Sequence, residues 1–219
     1  MIVLDCVQGG SEWHKARLGI PTASNFERIL TPKELKPSTQ AKTYLYELLS
    51  EWLIGIPHGA DSSGFMERGK ALEPQARSWY AYEHDVDVRT VGIVLRDDRM
   101  VAASPDALVG EDGGLEIKCP GAAGHVRNLV EGMGGYVGQC QGAMWLTGRK
   151  WWDLISYHPD IPPVVYRHER DEVFIEALEK AMGAFVARLL SMRAELERKG
   201  CRPASRLMLP ASAIVEDPF

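Results

Sequence analysis

The sequence predicts a single α/β domain of 219 residues in which a mixed central sheet is flanked by helices. Two observations carry this. Apolar spacing is helical to about residue 83, switches to period two from Val91 to Cys119, and then alternates again between the two periods. Helices before, between and after the strands cover a sheet on both faces. A hydrophobic share of 45% and a charged share of 25% are also ordinary for a chain with a packed core.

In chain order, residues 11–18 read as a short helix, and Thr22 as the cap of a second over 23–30. Residues 31–38 read as a loop. From Thr39 to Ile54, Tyr44, Leu45, Leu48, Leu49, Trp52 and Leu53 recur at helical spacing, and Gly55 and Pro57 end the run. A Gly/Ser-rich stretch, Gly59 to Gly64, precedes a helix over about 65–83. Strands are expected at 91–95, 100–104, 107–109 and 115–119, with turns at Asp97-Asp98 and Asp112-Gly113-Gly114. The glycine-rich segment 121–135 reads as mobile, with a short helix near 125–131. A helix at 136–146, strands at 151–157 and 164–168, and a helix from Asp171 to about Lys199 complete the domain. The tail after about 200 is peripheral.

Several classes are excluded. There is no apolar run of membrane-spanning length, and the first residues lack the basic start and apolar stretch of a signal peptide, so a cytoplasmic protein is expected. Cys6, Cys119, Cys140 and Cys201 are too widely spaced for a zinc or iron–sulfur motif and read as spectator thiols. A net charge of −5 argues against coating nucleic acid by bulk attraction. Residues 1–42 nevertheless carry six Lys or Arg against four Asp or Glu.

The segment from Ser104 to Lys118, Ser-Pro-Asp-Ala-Leu-Val-Gly-Glu-Asp-Gly-Gly-Leu-Glu-Ile-Lys, carries the chemistry. Asp106 ends one strand. Glu116 and Lys118 stand two apart on the next, so they share a face opposite to Leu115 and Ile117. Two carboxylates and an ammonium suit Mg²⁺ and a phosphate: Asp106 and Glu116 as ligands, the Ile117 carbonyl as a third oxygen, and Lys118 to orient the attacking water, help deprotonate it or stabilise the developing charge. The ordinary reading is a hairpin with a surface ion pair. The pattern resembles the PD-(D/E)-x-K nuclease motif, which makes the expected fold a PD-(D/E)-x-K nuclease core.

Companions follow. Glu73, in Arg68-Gly69-Lys70-Ala71-Leu72-Glu73, could reach two metal ions if Gly69 lets its helix approach the sheet; otherwise it is a surface partner of Arg77. Only one of Gln139 and Gln141 can face the site from a helix, and Gln139 is preferred, with Tyr136 on its side. Arg17, close to Thr22-Ala23-Ser24, could form a phosphate pocket with hydroxyls at a helix start, where a surface ion pair would be the ordinary reading.

These motifs, with Glu-Trp-His-x-x-Arg-Leu-Gly-x-x-Thr-Ala-Ser, Gly-Leu-Glu-Ile-Lys-Cys-Pro and Tyr-x-x-Gln-x-Gln, resemble the lambda-type phage exonucleases, or YqaJ-like viral recombinases, from about Gln8 to Asp171. The resemblance implies a Mg²⁺-dependent 5′→3′ exonuclease with two metal ions per site, for which Mn²⁺ can substitute. It would digest one strand of double-stranded DNA to mononucleotides. The remaining 3′ strand would pass to a single-strand annealing protein, and the enzyme would be a ring-shaped homotrimer. Asp106, Glu116 and Ile117 would hold metal, Lys118 and Gln139 would act on the water, and Glu73 would support them. Arg17, Ser24 and Ser104 would bind the 5′-phosphate. Met66 is offered as an apolar wedge at the duplex end, against the ordinary reading of a buried or capping methionine. Two alternatives stay open: another nuclease of the same core, cutting internally or in repair, and a non-catalytic DNA-end-binding subunit.

Overall fold

The computed structural model describes residues 1–58, 64–204 and 214–215. Its strands form two sheets. The mixed sheet has the order β2(Val88–Arg89)-β5(Ala107–Val109)-β6(Gly113–Lys118)-β7(Trp151–His158)-β8(Ile161–Glu169). Only β6 and β7 run parallel; the other pairs are antiparallel. The parallel step is bridged by α4(Ala122–Glu131) and α5(Val137–Thr147). The second sheet, β4(Ala102–Ala103)-β3(Ile93–Leu95)-β1(Ile2–Leu4)-β9(Ile214–Val215), is antiparallel throughout. The expected strands over 91–104 therefore leave the central sheet, and β1, β2 and β9 were not expected.

Helices clothe both faces of the mixed sheet. On one, α3(Gly64–His84) lays Ala76 and Tyr80 on Ala107, Leu115, Ile117, Ile155 and Tyr157. On the other, α2(Ala41–Ile54), α5 and α6(Glu172–Arg198) share the larger core with Leu108, Trp152 and Leu154. Each fully buried large side chain contributes about 1.5–3 kcal/mol of burial free energy. The ends of α2 and α6 follow their sequence signals: Gly55 is left-handed at φ 73° after α2, and Asp171 caps α6 by accepting from the Val173 and Phe174 amides. Among the described residues, no helix is long and apolar enough to cross a membrane.

Three local expectations are corrected. Residues 23–28 form a 3-10 helix, and the Thr22 side chain does not cap it; instead the Thr22 amide donates to the Tyr44 hydroxyl. The 121–135 segment is anchored, because the buried His125 and Asn128 of α4 both bond the Ser156 hydroxyl. The turn before β6 is Gly110 to Asp112, not Asp112 to Gly114, and Arg149 clamps it through the carbonyls of Val109, Gly110 and Gly113. Gly113 and Gly114 already pair within β6. They are glycine because the Trp151 and Trp152 rings lie where their Cβ atoms would be, at 2.1 and 2.2 Å.

Gly114→Ala should therefore cost about 1–3 kcal/mol, since the fully buried Trp152 ring cannot retreat. The expected reading is a lower denaturant midpoint with an unchanged slope. Gly69→Ala, whose Cβ would meet nothing within 4 Å, should instead gain roughly 0.5–1 kcal/mol of helix stability in the same measurement.

Candidate active site

The alternation along β6 separates core from chemistry. Leu115 and Ile117 enter the core beneath α3. Glu116 is in register with Leu154, whose side chain belongs to the opposite core, so Glu116 and Lys118 face α5. Glu116 is 4% exposed. Its Oε1 accepts from Lys118 Nζ at 2.7 Å and from Gln139 Nε2 at 2.6 Å, and Lys118 also donates to Gln139 Oε1 at 3.3 Å. The Tyr136 ring lies 4.7 Å from the same ammonium. Burial pulls the Lys118 pKa down, but Glu116 and then Asp106 outweigh it and the net shift is upward. Without a cation at the carboxylates, Glu116 and Asp106 thus favour the ammonium form of Lys118, which can orient a water and stabilise negative charge.

Asp106 reaches the same place from the next strand. Its amide donates to Leu115 O and its Oδ2 accepts from the Ile117 amide at 2.6 Å. Burial, and then Glu116, push its pKa well above the ordinary carboxylate value. Glu73 is half-buried, and its pKa is raised first by burial and then by Glu116, against the pull of Arg77 and Lys118. It therefore lies within electrostatic range of the strand residues. The reason expected for its approach fails, because there is open space around Gly69.

A small cleft of about 20 Å³ joins Glu116 and Gln139 of this cluster to Arg17, Ser24 and Ser104. Arg17 Nη1 donates to Ser104 Oγ at 3.0 Å, and its guanidinium stacks 4.0 Å over the Trp13 ring. Trp13 Nε1 donates to the same hydroxyl at 2.9 Å. With both lone pairs of Ser104 engaged, its proton remains to be donated. Ser24 Oγ, on the 3-10 helix, lies 3.2 Å from Thr22 Oγ1. Burial lowers the Arg17 pKa from its ordinary value, and no carboxylate lies within ion-pair distance of it among the described residues.

The structure thus brings Asp106, Glu116, Lys118 and Gln139 into direct contact and sets Arg17, Ser24 and Ser104 on the adjoining wall. Gln141 faces away: it is buried and joins Glu169 O to the Asp171 amide. Met66 lies in the first turn of α3, and its side chain falls outside the described residues. Sequence reasoning missed the role of Trp13 as the platform for Arg17; its spacing of four from Arg17 on one helix was the available signal. It also missed Gln8, whose Nε2 donates to Val91 O and Pro105 O and pins the loop before Asp106.

The donor set fits a hard divalent cation. Hydrogen bonds occupy Asp106 Oδ2 and Glu116 Oε1, which leaves the second oxygen of each carboxylate. Asp106 and Glu116 against Lys118 leave a negative charge that a cation would offset, while Glu73 at the edge already has Arg77 beside it. Among the described residues, no three His, Cys, Asp or Glu side chains close on one point.

Comparison with known proteins gives a consistent picture. Residues 12–150 match the family described as the YqaJ-like viral recombinase domain. No curated protein matches the chain. Among solved structures, an alkaline exonuclease (LHK-Exo) from Laribacter hongkongensis is similar at 34% identity and TM-score 0.78, over 87% of this chain and 98% of its own. The same exonuclease in complex with dAMP matches at 35% identity with the same coverage. A phage-related exonuclease from Haemophilus somnus 129PT shares the fold at 16% identity and TM-score 0.66, over 81% of this chain and 96% of its own.

If the carboxylate pair holds the cation, Mg²⁺ should raise the melting temperature, by the equivalent of about 2.7 kcal/mol at a hundredfold excess over Kd. Asp106→Asn, which removes one charge at constant size, should abolish most of that increase. A differential scanning fluorimetry titration with Mg²⁺ measures both.

Proposed function

The chain belongs to the YqaJ-like viral recombinase domain family, and from that premise we propose that it is a Mg²⁺-dependent exonuclease that degrades one strand of linear double-stranded DNA from a 5′-phosphorylated end. Its fold is that of an alkaline exonuclease. The observation that carries the finer reading is the shared cleft, in which Arg17, Ser24 and Ser104 stand beside Glu116 and Gln139.

In this reading the terminal phosphate rests on the Arg17 guanidinium and the Ser104 and Ser24 hydroxyls. The phosphodiester one nucleotide on then meets Asp106, Glu116 and Lys118. A divalent cation held by Asp106, Glu116 and the Ile117 carbonyl would supply Lewis acidity toward the phosphoryl oxygens. Lys118, oriented by Glu116 and Gln139, places its ammonium where negative charge grows as water attacks phosphorus. Gln139 fixes that ammonium and leaves little rotational freedom at the site. Glu73 adds negative potential that favours cation binding. The P–O3′ bond breaks, a nucleoside 5′-monophosphate leaves, and the shortened strand carries a new 5′-phosphate. dAMP, bound by the similar Laribacter hongkongensis exonuclease, is a nucleotide of the kind this reaction releases.

The family resemblance extends the proposal to a homotrimeric ring around the duplex, a single-strand annealing protein as recipient of the 3′ strand, and Mn²⁺ as a substitute metal.

Linear duplex with a 5′-phosphate should be degraded faster than the same duplex with a 5′-hydroxyl, and EDTA should stop both. Equal rates on the two ends, or rapid cutting of closed circles, would redirect the assignment to an internal nuclease. Lys118→Ala should lower kcat by about 10²- to 10⁴-fold with DNA binding retained. Arg17→Ala should erase the preference for the phosphorylated end, which is read from the ratio of initial rates on the two substrates.

A further inference from the structure

We propose that Lys70 and His14 form a second phosphate subsite on the rim of the cleft, one that takes a backbone phosphodiester of the DNA rather than the terminal phosphate. This rests on the reading of the protein as a DNA exonuclease.

Lys70 sits on α3 and reaches across to the loop before α1(Ser11–Arg17): its Nζ stands 3.5 Å from the position a Cβ on Gly9 would occupy. Gly9 has φ +81°, a conformation in which a side chain is strained, so the approach stays open. His14, whose amide donates to Gly10 O at 3.0 Å, stands one turn along α1 from the same loop. It also meets the Trp13 ring edge-on at 4.9 Å. Trp13 is the platform of Arg17 and a donor to Ser104. Lys70, Gly9, His14, Trp13 and Arg17 thus form one continuous rim, with contributions from both α3 and α1.

Lys70 and Arg17 supply the positive charge on this rim. Arg17 and Lys70 both lower the proton affinity of His14, after the larger effect of burial. Lys70 forms no ion pair among the described residues. The carboxylate whose proton affinity it lowers is Glu73, three residues along α3 and so on the same side of the helix, facing the Asp106–Glu116 cluster. Pro74 has no amide hydrogen, so the Lys70 carbonyl also lacks its helical donor. Lys70 is exposed beside this carboxylate, so its ammonium can donate to a phosphate oxygen that reaches the rim.

The test uses the full chain without metal, with Kd measured across a salt series for duplexes ending in 5′-phosphate or 5′-hydroxyl. Lys70→Met keeps the aliphatic stem and removes the charge. It should weaken binding of both duplexes by the same factor and lower the salt slope by about one. Lys70→Arg should keep the wild-type slope, and Lys70→Gln serves if the methionine variant fails to fold. Arg17→Ala should instead lose affinity for the phosphorylated end alone. A Lys70→Met protein with wild-type slope and Kd would overturn the subsite while leaving the exonuclease reading intact. A wild-type protein that neither binds nor cuts duplex ends would overturn that reading first.

Discussion

The site is organised around a carboxylate that has almost no access to water. Glu116 is 4% exposed on β6, between the core residues Leu115 and Ile117. A buried carboxylate is costly unless it is paired and hydrogen-bonded. Lys118 and Gln139 meet that requirement together, and each is itself fixed by doing so. Removing either would leave a buried charge short of partners. The placement of β6 against α5 is thereby tied to the same contacts that arrange the chemistry.

Electrostatics reconcile an acidic chain with the DNA substrate of the proposed reaction. The net charge of −5 acts at long range, where salt screens it beyond about 8–10 Å. Within the cleft, the sign depends on individual groups. The carboxylates gather on one wall, and Asp106, raised in pKa by burial and by Glu116, marks where positive charge is wanted. Arg17 lines the other wall with no carboxylate within ion-pair distance among the described residues. One wall thus suits a cation and the other an anion, and a phosphodiester with its metal ion is a ligand with both.

Much of this was legible in the chain. The two-residue period placed Glu116 and Lys118 on one face, and helical geometry allowed only one of Gln139 and Gln141 to reach the site, which the structure shows to be the preferred Gln139. Less legible were features that depend on distant packing. Gly113 and Gly114 look like a turn but make room for Trp151 and Trp152, which are remote in sequence and parallel in the sheet. Gly69 looks like a close approach and faces open space. The split into two sheets hinges on the pairing of β1 with β3, a contact no local pattern announces. The 3-10 form of residues 23–28 has a similar origin: the Phe26 ring fills the space over Gly142, where a Cβ would lie 2.3 Å from it, so this short segment is placed by α5 rather than by its own cap.

The segment Ser104-Pro105-Asp106 explains how two subsites become one machine. Ser104 belongs to the wall that would hold the terminal phosphate, and Asp106 to the cluster that would cut. Two residues separate their Cα atoms by at most about 7 Å, the scale of a single nucleotide step. Pro105 fixes its own φ, and Gln8 holds its carbonyl at 2.7 Å. The distance between binding and cutting is therefore set by covalent geometry and one hydrogen bond, not by a flexible loop. In the proposed reaction each cut creates a 5′-phosphate one nucleotide further along. A rigid spacer of this length lets the product of one cycle become the anchored end of the next, so the repeat of the reaction is built into three consecutive residues.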